Sequence, residues 1–307
     1  MKIRLILTLI FLTSPKAFAI NIVVSIPDFE SIVNEIVEAN VSVILPAGMD
    51  PHTFSITKET IEKIKRADLI ILANSNLLSY EKNIKENWDK EYLDFEDYNA
   101  TLFDFDGFKN NPHGYWMYIN NSILIAKAIA YKLAEIYPEK KDYYIKNYEN
   151  FKERLMKAGR FIINLSKEKG IYGKKVIAAV PGVCYIVKNL GIEADEILFA
   201  EGTSITFSKE IWDKEYLGIV VPEFLKDAKA GKVAEQIARD TNTSIIYVKF
   251  AEGGDFLNNL YYNSFQFLSF NLQEKAEYNI WLIYLSILLI ILAIVEGIII
   301  YMLYRRW

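Results

Sequence analysis

Residues 139–170, "EKKDYYIKNYENFKERLMKAGRFIINLSKEKG", decide the fold of this 307-residue chain. Aromatic and aliphatic residues recur there every three or four positions, which predicts one long amphipathic helix. Gly170 is typical of the position directly after a helix and should end it. From Asn120 to about Lys169 no strand pattern occurs, and only Pro138 interrupts the helical periodicity. The middle of the chain is therefore predicted to be helical.

Short runs rich in Ile and Val lie on both sides of this helical segment, with helical stretches between them. This β-α-β-α order predicts parallel sheets with helices on their faces. The predicted strands are residues 20–26, 41–47, 68–74, 174–180, 194–200, 217–223 and 243–250. The pattern of residues 57–67 predicts a helix that Thr57 caps. Residues 88–108 are rich in acidic residues and are predicted to form a solvated loop with a short strand. We predict two similar parallel-sheet α/β lobes joined by a long rigid helix, with a ligand cleft between them.

Both ends of the chain predict export. Basic residues, an apolar run and Ala17-Phe18-Ala19 form the pattern of a secretory signal peptide, cleaved near Ala19. Residues 281–304 are almost unbroken apolar sequence, which predicts one transmembrane helix. Arg305 and Arg306 then place the C-terminus in the cytoplasm and the body of the protein at the cell surface. Glu296 within this helix either faces a membrane partner or is protonated near the interface, and both alternatives stay open.

The predicted domain organisation follows from these segments. It comprises a signal peptide (1–19), an N-terminal α/β lobe (20–118), a helical segment with the long connecting helix (119–170), a C-terminal α/β lobe (171–277) and a transmembrane helix (281–304).

Composition excludes several classes of function. The net charge is −4 and no basic stripe occurs, so we expect no nucleic-acid partner. The single cysteine, Cys184, excludes an intramolecular disulfide and a cysteine-based zinc cluster. A metallohydrolase is the enzyme alternative, but the chain has only two histidines and lacks the HExxH, GxSxG and Walker A motifs. We therefore predict a binding protein and no enzyme.

The two histidines both follow proline. His52 lies in "LPAGMDPHTF" (45–54), just past the second predicted strand, and His113 lies in "NNPHGYW" (110–116), ahead of the helical segment. Imidazole nitrogen is a good ligand for zinc and related metals, and proline restricts the loop that carries it.

Two longer stretches resemble the zinc- and manganese-type substrate-binding proteins of ABC importers. They are "GMDPHTFSITKETIEKIKRADLIILANSNLLSYEKNI" (48–84), which contains the family's later Glu as Glu81, and "NPHGYWMYINNSILIAKAIAYKLAEIYPEKKDYYIKNYENF" (111–151). The resemblance runs through most of residues 20–270. It implies that His52 and His113 bind a divalent metal, zinc or manganese, between the lobes. It also implies that the metal is the transported substrate, that no organic cofactor is needed, and that the partner is an ABC permease.

The second lobe departs from the family pattern. The third ligand position falls on Val180, which cannot bind a metal, and the fourth falls near Lys249, whose ammonium repels a cation. Asp255 and Glu201 are the foremost candidates to complete the site. Other candidates are Thr203, Glu252 and the Cys184 thiolate. Each has a structural alternative: Asp255 as the N-cap of the final helix, Glu201 as a loop residue, and Cys184 as a buried apolar residue.

These departures leave alternatives open. The first is weak metal binding, or binding of the metal as a chelate with a small anionic carrier that Lys249 neutralises. The second is loss of metal binding, which leaves a metal-free binding or adhesion protein or a receptor for a non-metal ligand.

Overall fold

A computed structural model describes residues 20–105, 108–199 and 215–304. In the last helix the side chains of residues 270–282, 293 and 296–304 fall outside the description. The predicted signal peptide, Glu201, Thr203 and the final arginines also lie outside the described residues.

The first lobe is built on a parallel sheet in which every strand was expected from the sequence. The strand order is β2-β1-β3-β4, and β1 is central because it pairs with both β2 and β3. The strands are β1 (Asn21–Val24), β2 (Asn40–Val43), β3 (Leu69–Ile71) and β4 (Tyr92–Leu93). The helices are α1 (Pro27–Ile36), α2 (Lys58–Arg66), α3 (Ser79–Asn87) and α4 (Phe95–Tyr98). Thr57 caps α2 as predicted, since its hydroxyl accepts the N–H of Thr60 at 3.2 Å.

The middle of the chain is helical, as the sequence predicts. Helix α5 (Ile119–Ile136) is separated from α6 (Lys141–Glu168) by a 3-10 turn that begins at Pro138. Gly170 follows α6 with φ of +71°, the left-handed conformation of a helix terminus. The buried face of α6 packs against α1, α5 and α9. That face consists of Tyr144, Tyr148, Phe151, Leu155, Ala158, Ile162 and Ser166.

The second lobe repeats the topology of the first. Its strand order is β6-β5-β7-β8, again parallel, with the first strand in sequence at the centre. The strands are β5 (Lys175–Ala178), β6 (Glu193–Ile197), β7 (Ile219–Pro222) and β8 (Ile245–Val248). The helices are α7 (Cys184–Lys188), α8 (Lys229–Thr241) and α9 (Phe256–Tyr304). The predicted pair of parallel-sheet α/β lobes with a long helix between them is confirmed.

The C-terminal prediction has a different outcome. Within the described part of the chain, no helix combines the length and apolar character needed to cross a membrane. The transmembrane helix predicted for residues 281–304 is therefore not found, and this stretch is the last part of α9. The side chain of Glu296 lies outside the description.

The two lobes meet backbone to backbone beside the cleft. Gly114 has φ of +71°, and a Cβ placed on it would lie 2.4 Å from the carbonyl oxygen of Gly182. Around this contact, the Asn111 amide donates to the Pro181 carbonyl at 2.9 Å, and the Tyr185 hydroxyl donates to the Asn111 carbonyl at 2.6 Å. The loop that carries His113 is thereby fixed to the second lobe.

Replacing Gly114 with alanine should separate the cost of this contact from the cost of positive φ. Gly170 has the same φ of +71° but no atom within 4 Å of an added Cβ, so Gly170→Ala is the matched control. Both variants lose roughly 1–2 kcal/mol through the left-handed backbone. Gly114→Ala should lose about 1–3 kcal/mol more, the usual cost of overpacking. Urea unfolding measures both losses, and equal values would contradict a tight contact between the lobes.

Candidate metal site

The Pro-His motifs fold into two turns of the same kind. The carboxylate Oδ1 of Asp50 accepts the backbone N–H of His52 at 2.9 Å, and the amide Oδ1 of Asn111 accepts the backbone N–H of His113 at 3.0 Å. In each case an Asp or Asn two residues before the histidine closes a local turn over the proline. The sequence signal is therefore Asx-Pro-His, and the role of Asp50 and Asn111 in closing the turn was not predicted from the sequence.

Asn111 also orients the imidazole of His113. Its Oδ1 lies 3.2 Å from Nδ1 of His113, and an amide oxygen can only accept a hydrogen bond. This pairing places the ring proton on Nδ1 and leaves Nε2 of His113 with a free lone pair for a ligand. An outer hydrogen bond of this kind is typical of histidines that bind metals. The buried Asn111 side chain in turn donates to Pro181, so the orientation of His113 depends on the second lobe.

The structure brings the two histidines together. Their ring centroids are 5.7 Å apart with an interplanar angle of 54°. Since zinc–nitrogen bonds are about 2.0–2.1 Å long, each centroid lies roughly 3 Å from an ion bound by its ring. Rings at this separation can both direct a nitrogen at one ion. His52 is exposed, whereas His113 is half-buried and has the edge of the Phe108 ring against it at 5.3 Å.

The environment of His113 keeps its imidazole neutral. Burial, and secondly the neighbouring His52, lower the pKa of His113 to about 4. A neutral imidazole is the form that binds metals, so protons do not compete for Nε2 near pH 7.

In the described part of the second lobe, Val180 and Lys249 occupy the two positions predicted for ligands, and neither side chain is suited to bind a metal. Val180 is half-buried at the end of β5 and offers no donor side chain. The Lys249 ammonium lies 4.8 Å from the centroid of the Tyr262 ring, and the Tyr262 hydroxyl donates to Glu223. Asn263 binds both the backbone N–H and the carbonyl of Lys249, at 2.8 and 2.9 Å. Lys249 is therefore part of a cluster with Tyr262 and Glu223.

The remaining candidate ligands have separate positions. Asp255 is exposed, and its Oδ1 accepts the N–H of Asn258 at 2.7 Å, the contact of an N-cap at the start of α9. Cys184 is fully buried, and burial raises the pKa of its thiol well above the usual range, so it is no thiolate at neutral pH. Glu201 and Thr203 lie outside the described residues. Among the residues that the structure describes, no group of three or more His, Cys, Asp or Glu is arranged to hold a metal ion.

A buried glutamate supports the His52 side of the site. Glu81 accepts the backbone N–H groups of Ala73 and Asn74, at 3.0 and 2.6 Å, just past the end of β3. Burial raises the pKa of Glu81 to about 7, against the opposing effect of these hydrogen bonds. The neighbouring Tyr80 ring meets Phe54 edge to face at 5.2 Å, two residues from His52. Glu81 thus joins the loop after β3 to α3, the helix whose Tyr80 packs against Phe54 beside the His52 turn.

The lowered pKa of His113 predicts a loss of stability in acid. An unfolded chain binds a proton at the ordinary histidine value of about 6.5, whereas the folded protein resists protonation of His113 until about pH 4. The stabilising contribution is therefore complete above about pH 6.5 and is lost as the pH falls towards 4. Glu81, whose pKa is raised to about 7, contributes a slope of the opposite sign in the same range. Urea unfolding of the metal-free protein and of His113→Gln therefore isolates the His113 contribution as a difference, and the variant should lose less stability as the pH falls. An unchanged slope in His113→Gln would contradict the assignment.

Comparisons with known proteins identify the family. The family model for zinc-uptake complex component A, periplasmic, matches residues 22–269. The metal ABC transporter substrate-binding lipoprotein SloC of Streptococcus mutans is 31% identical over 137 residues, which cover 41% of this chain and 43% of that protein. The manganese ABC transporter substrate-binding lipoprotein PsaA of Streptococcus pneumoniae is 26% identical over 260 residues, 76% of this chain and 80% of that protein.

Solved structures show the same fold. A crystal structure of ZnuA superposes with a TM-score of 0.68 at 21% identity, over 82% of this chain and 99% of that chain. FpvC of Pseudomonas aeruginosa, solved in complex with Mn²⁺, has a TM-score of 0.68 at 16% identity, over 83% of this chain and 99% of that chain. Because the family model spans most of the chain, this protein belongs to the family of zinc-uptake complex component A, the periplasmic component.

Proposed function

We propose that this protein is an extracytoplasmic receptor that captures a divalent transition metal, zinc or manganese, and delivers it to an ABC permease. The observation that carries the proposal is the convergence of the chain's only two histidines at a centroid distance of 5.7 Å. One of them is held neutral and oriented with Nε2 free. Relatives named as metal and manganese ABC transporter substrate-binding lipoproteins support the same class of function.

His52 and His113 are the proposed ligands from the first lobe, and carboxylates are proposed to complete the site. Glu201 is the leading candidate, because it comes soon after β6 in the sequence and ligands bind beyond the carboxyl ends of parallel strands. Asp255 is the second candidate, although its carboxylate already caps α9. Two imidazoles with one or two carboxylates suit zinc or manganese, and an open position takes water. The metal is the transported substrate, and no organic cofactor is proposed.

The proposed working parts are the N-terminal lobe (20–118), the helical segment (119–170) and the C-terminal lobe (171–277). Helix α6 is 28 residues long and packs along its buried face against three other helices. A packed helix of this length does not bend sharply without a proline or a bulge, which restricts hinge motion between the lobes. Release is therefore proposed to follow docking on the permease and local movement of the two Pro-His loops.

A second candidate function rests on Val180 and Lys249. A receptor whose second lobe offers few metal ligands can bind a metal chelate, in which a small anion supplies the remaining ligands. Loss of metal binding, leaving a metal-free binding or adhesion protein, is the other alternative. Both require that the free ion binds weakly or not at all.

Calorimetric titration of the demetallated protein with zinc and manganese tests the proposal. We expect one equivalent to bind, and His52→Ala/His113→Ala, which has no histidine at all, to lose saturable binding. His52→Ala and His113→Ala should each weaken binding without abolishing the fold. Absence of saturable binding by the unmodified protein would exclude the free-ion receptor, and a further titration with a metal–citrate chelate would then test the chelate alternative.

Glu201→Gln and Asp255→Asn form a matched pair that separates a ligand from a helix cap. If Glu201 binds the metal, Glu201→Gln weakens zinc binding and leaves the free energy of unfolding of the metal-free protein unchanged. Asp255→Ala removes the N-cap and should cost about 0.5–2 kcal/mol of stability, whereas Asp255→Asn keeps a capping oxygen. Zinc titration and urea unfolding of all three variants provide the measurements. Weaker zinc binding in Asp255→Asn alone would reverse the assignment.

A further inference from the structure

A buried carboxylate, Asp28, connects the two lobes next to the candidate metal site. It lies in the first turn of α1 and is only 5% exposed. Its Oδ2 accepts the indole N–H of Trp116 at 2.8 Å, and its Oδ1 accepts the backbone N–H of Gly253 at 3.1 Å. One side chain of the first lobe thus binds the segment that carries His113 and a loop of the second lobe.

The contacts around Asp28 reach three segments at the site. Trp116 is three residues beyond His113, and its ring stacks on Phe250 with centroids 6.1 Å apart at 13°. In the same loop as Gly253, the Ala251 carbonyl accepts the N–H of Gly48 at 3.4 Å, four residues before His52. The His113 segment, the β8–α9 loop and the His52 loop therefore converge on this carboxylate directly or through one further contact.

The surroundings of Asp28 require an acceptor with two oxygens. N–H groups of two segments point at the carboxylate: the Trp116 indole at Oδ2, the Gly253 backbone at Oδ1, and the Ala251 backbone beside it. Among the described residues no lysine or arginine forms an ion pair with it, and the nearby Glu252 carries the same charge. Burial raises the pKa of Asp28 against the effect of these hydrogen bonds. A position that serves packing alone would be filled at lower cost by an apolar residue.

We propose that Asp28 is a positioning residue of the metal site, which holds Trp116, and through it His113, against the β8–α9 loop of the second lobe. This inference rests on the proposed metal-binding function. Asp28 contacts no metal itself and acts through the Trp116 indole. An amide at this position has a single accepting oxygen, so one of the two N–H donors would face another N–H group.

The experiment compares Asp28→Asn, Trp116→Phe and the double variant, in the full-length protein. Trp116→Phe removes the indole donor but keeps an aromatic ring against Phe250. Trp88→Phe is the matched control, since Trp88 lies at the end of α3. Zinc titration measures affinity. Because the chain has only two histidines, their ring resonances in ¹H–¹⁵N spectra of the metal-free protein report on His113 directly, with His52→Gln for assignment.

Asp28→Asn and Trp116→Phe should each weaken zinc binding by about 10- to 100-fold, the range for outer partners of metal ligands. The double variant should bind no more weakly than the weaker single variant, because both changes break the same contact. Both should shift the His113 ring resonances while leaving those of His52 nearly unchanged, and Trp88→Phe should change neither property.

Zinc affinity within twofold of the unmodified protein in both single variants, with unshifted His113 resonances, would overturn the inference. Losses that add up in the double variant would show that Asp28 does not act through Trp116 and would overturn it too. If the unmodified protein binds no zinc, the proposed function fails. The positioning role is then decided by whether the His113 ring resonances shift in Asp28→Asn and Trp116→Phe. If Asp28→Asn does not fold, Trp116→Phe provides the same test.

Discussion

The close contact between Gly114 and Gly182 is the constraint on which the rest of the cleft depends. Any side chain on Gly114 would occupy the space of the Gly182 carbonyl, so the lobes approach as closely as two backbones can. Gly182 is equally restricted, because an added Cβ would lie 2.2 Å from the ring of Phe250. Phe250 in turn stacks on Trp116. The position of His113 relative to the second lobe therefore follows from main-chain contact and one pair of stacked rings.

The polar interior around the cleft is organised by backbone N–H groups instead of by counter-charges. Glu81 and Asp28 are both buried carboxylates that accept main-chain N–H groups at loops beyond strand ends. Burial raises the pKa of both carboxylates, because hydrogen bonds offset only part of the lost hydration. These carboxylates are harder to ionise than exposed ones, and their hydrogen bonds to main-chain N–H groups fix the loops. His113 shows the same effect of burial with the opposite sign, since its neutral form is favoured.

The sequence predicted the strands and the long helix well, because Ile and Val runs and a 3.6-residue period report directly on burial. Gly170 after α6 and Thr57 before α2 were predictable for a local reason, since each residue type suits one terminal conformation. Asn111, Asp28 and the Gly114–Gly182 contact were not predictable, because each depends on residues about 70 to 225 positions apart. The two histidines were found through a motif, whereas their mutual distance required the structure.

The unequal exposure of the two histidines has a consequence for kinetics. His52 stands in solvent on a turn closed by Asp50, whereas His113 is half-buried and held by Asn111. Under the proposed function, a hydrated ion that reaches the cleft would meet the exposed imidazole first and exchange one water for it. It would then have to shed further water to reach the inner ring. On that proposal, the outer histidine would govern the rate of capture and the inner one the residence time.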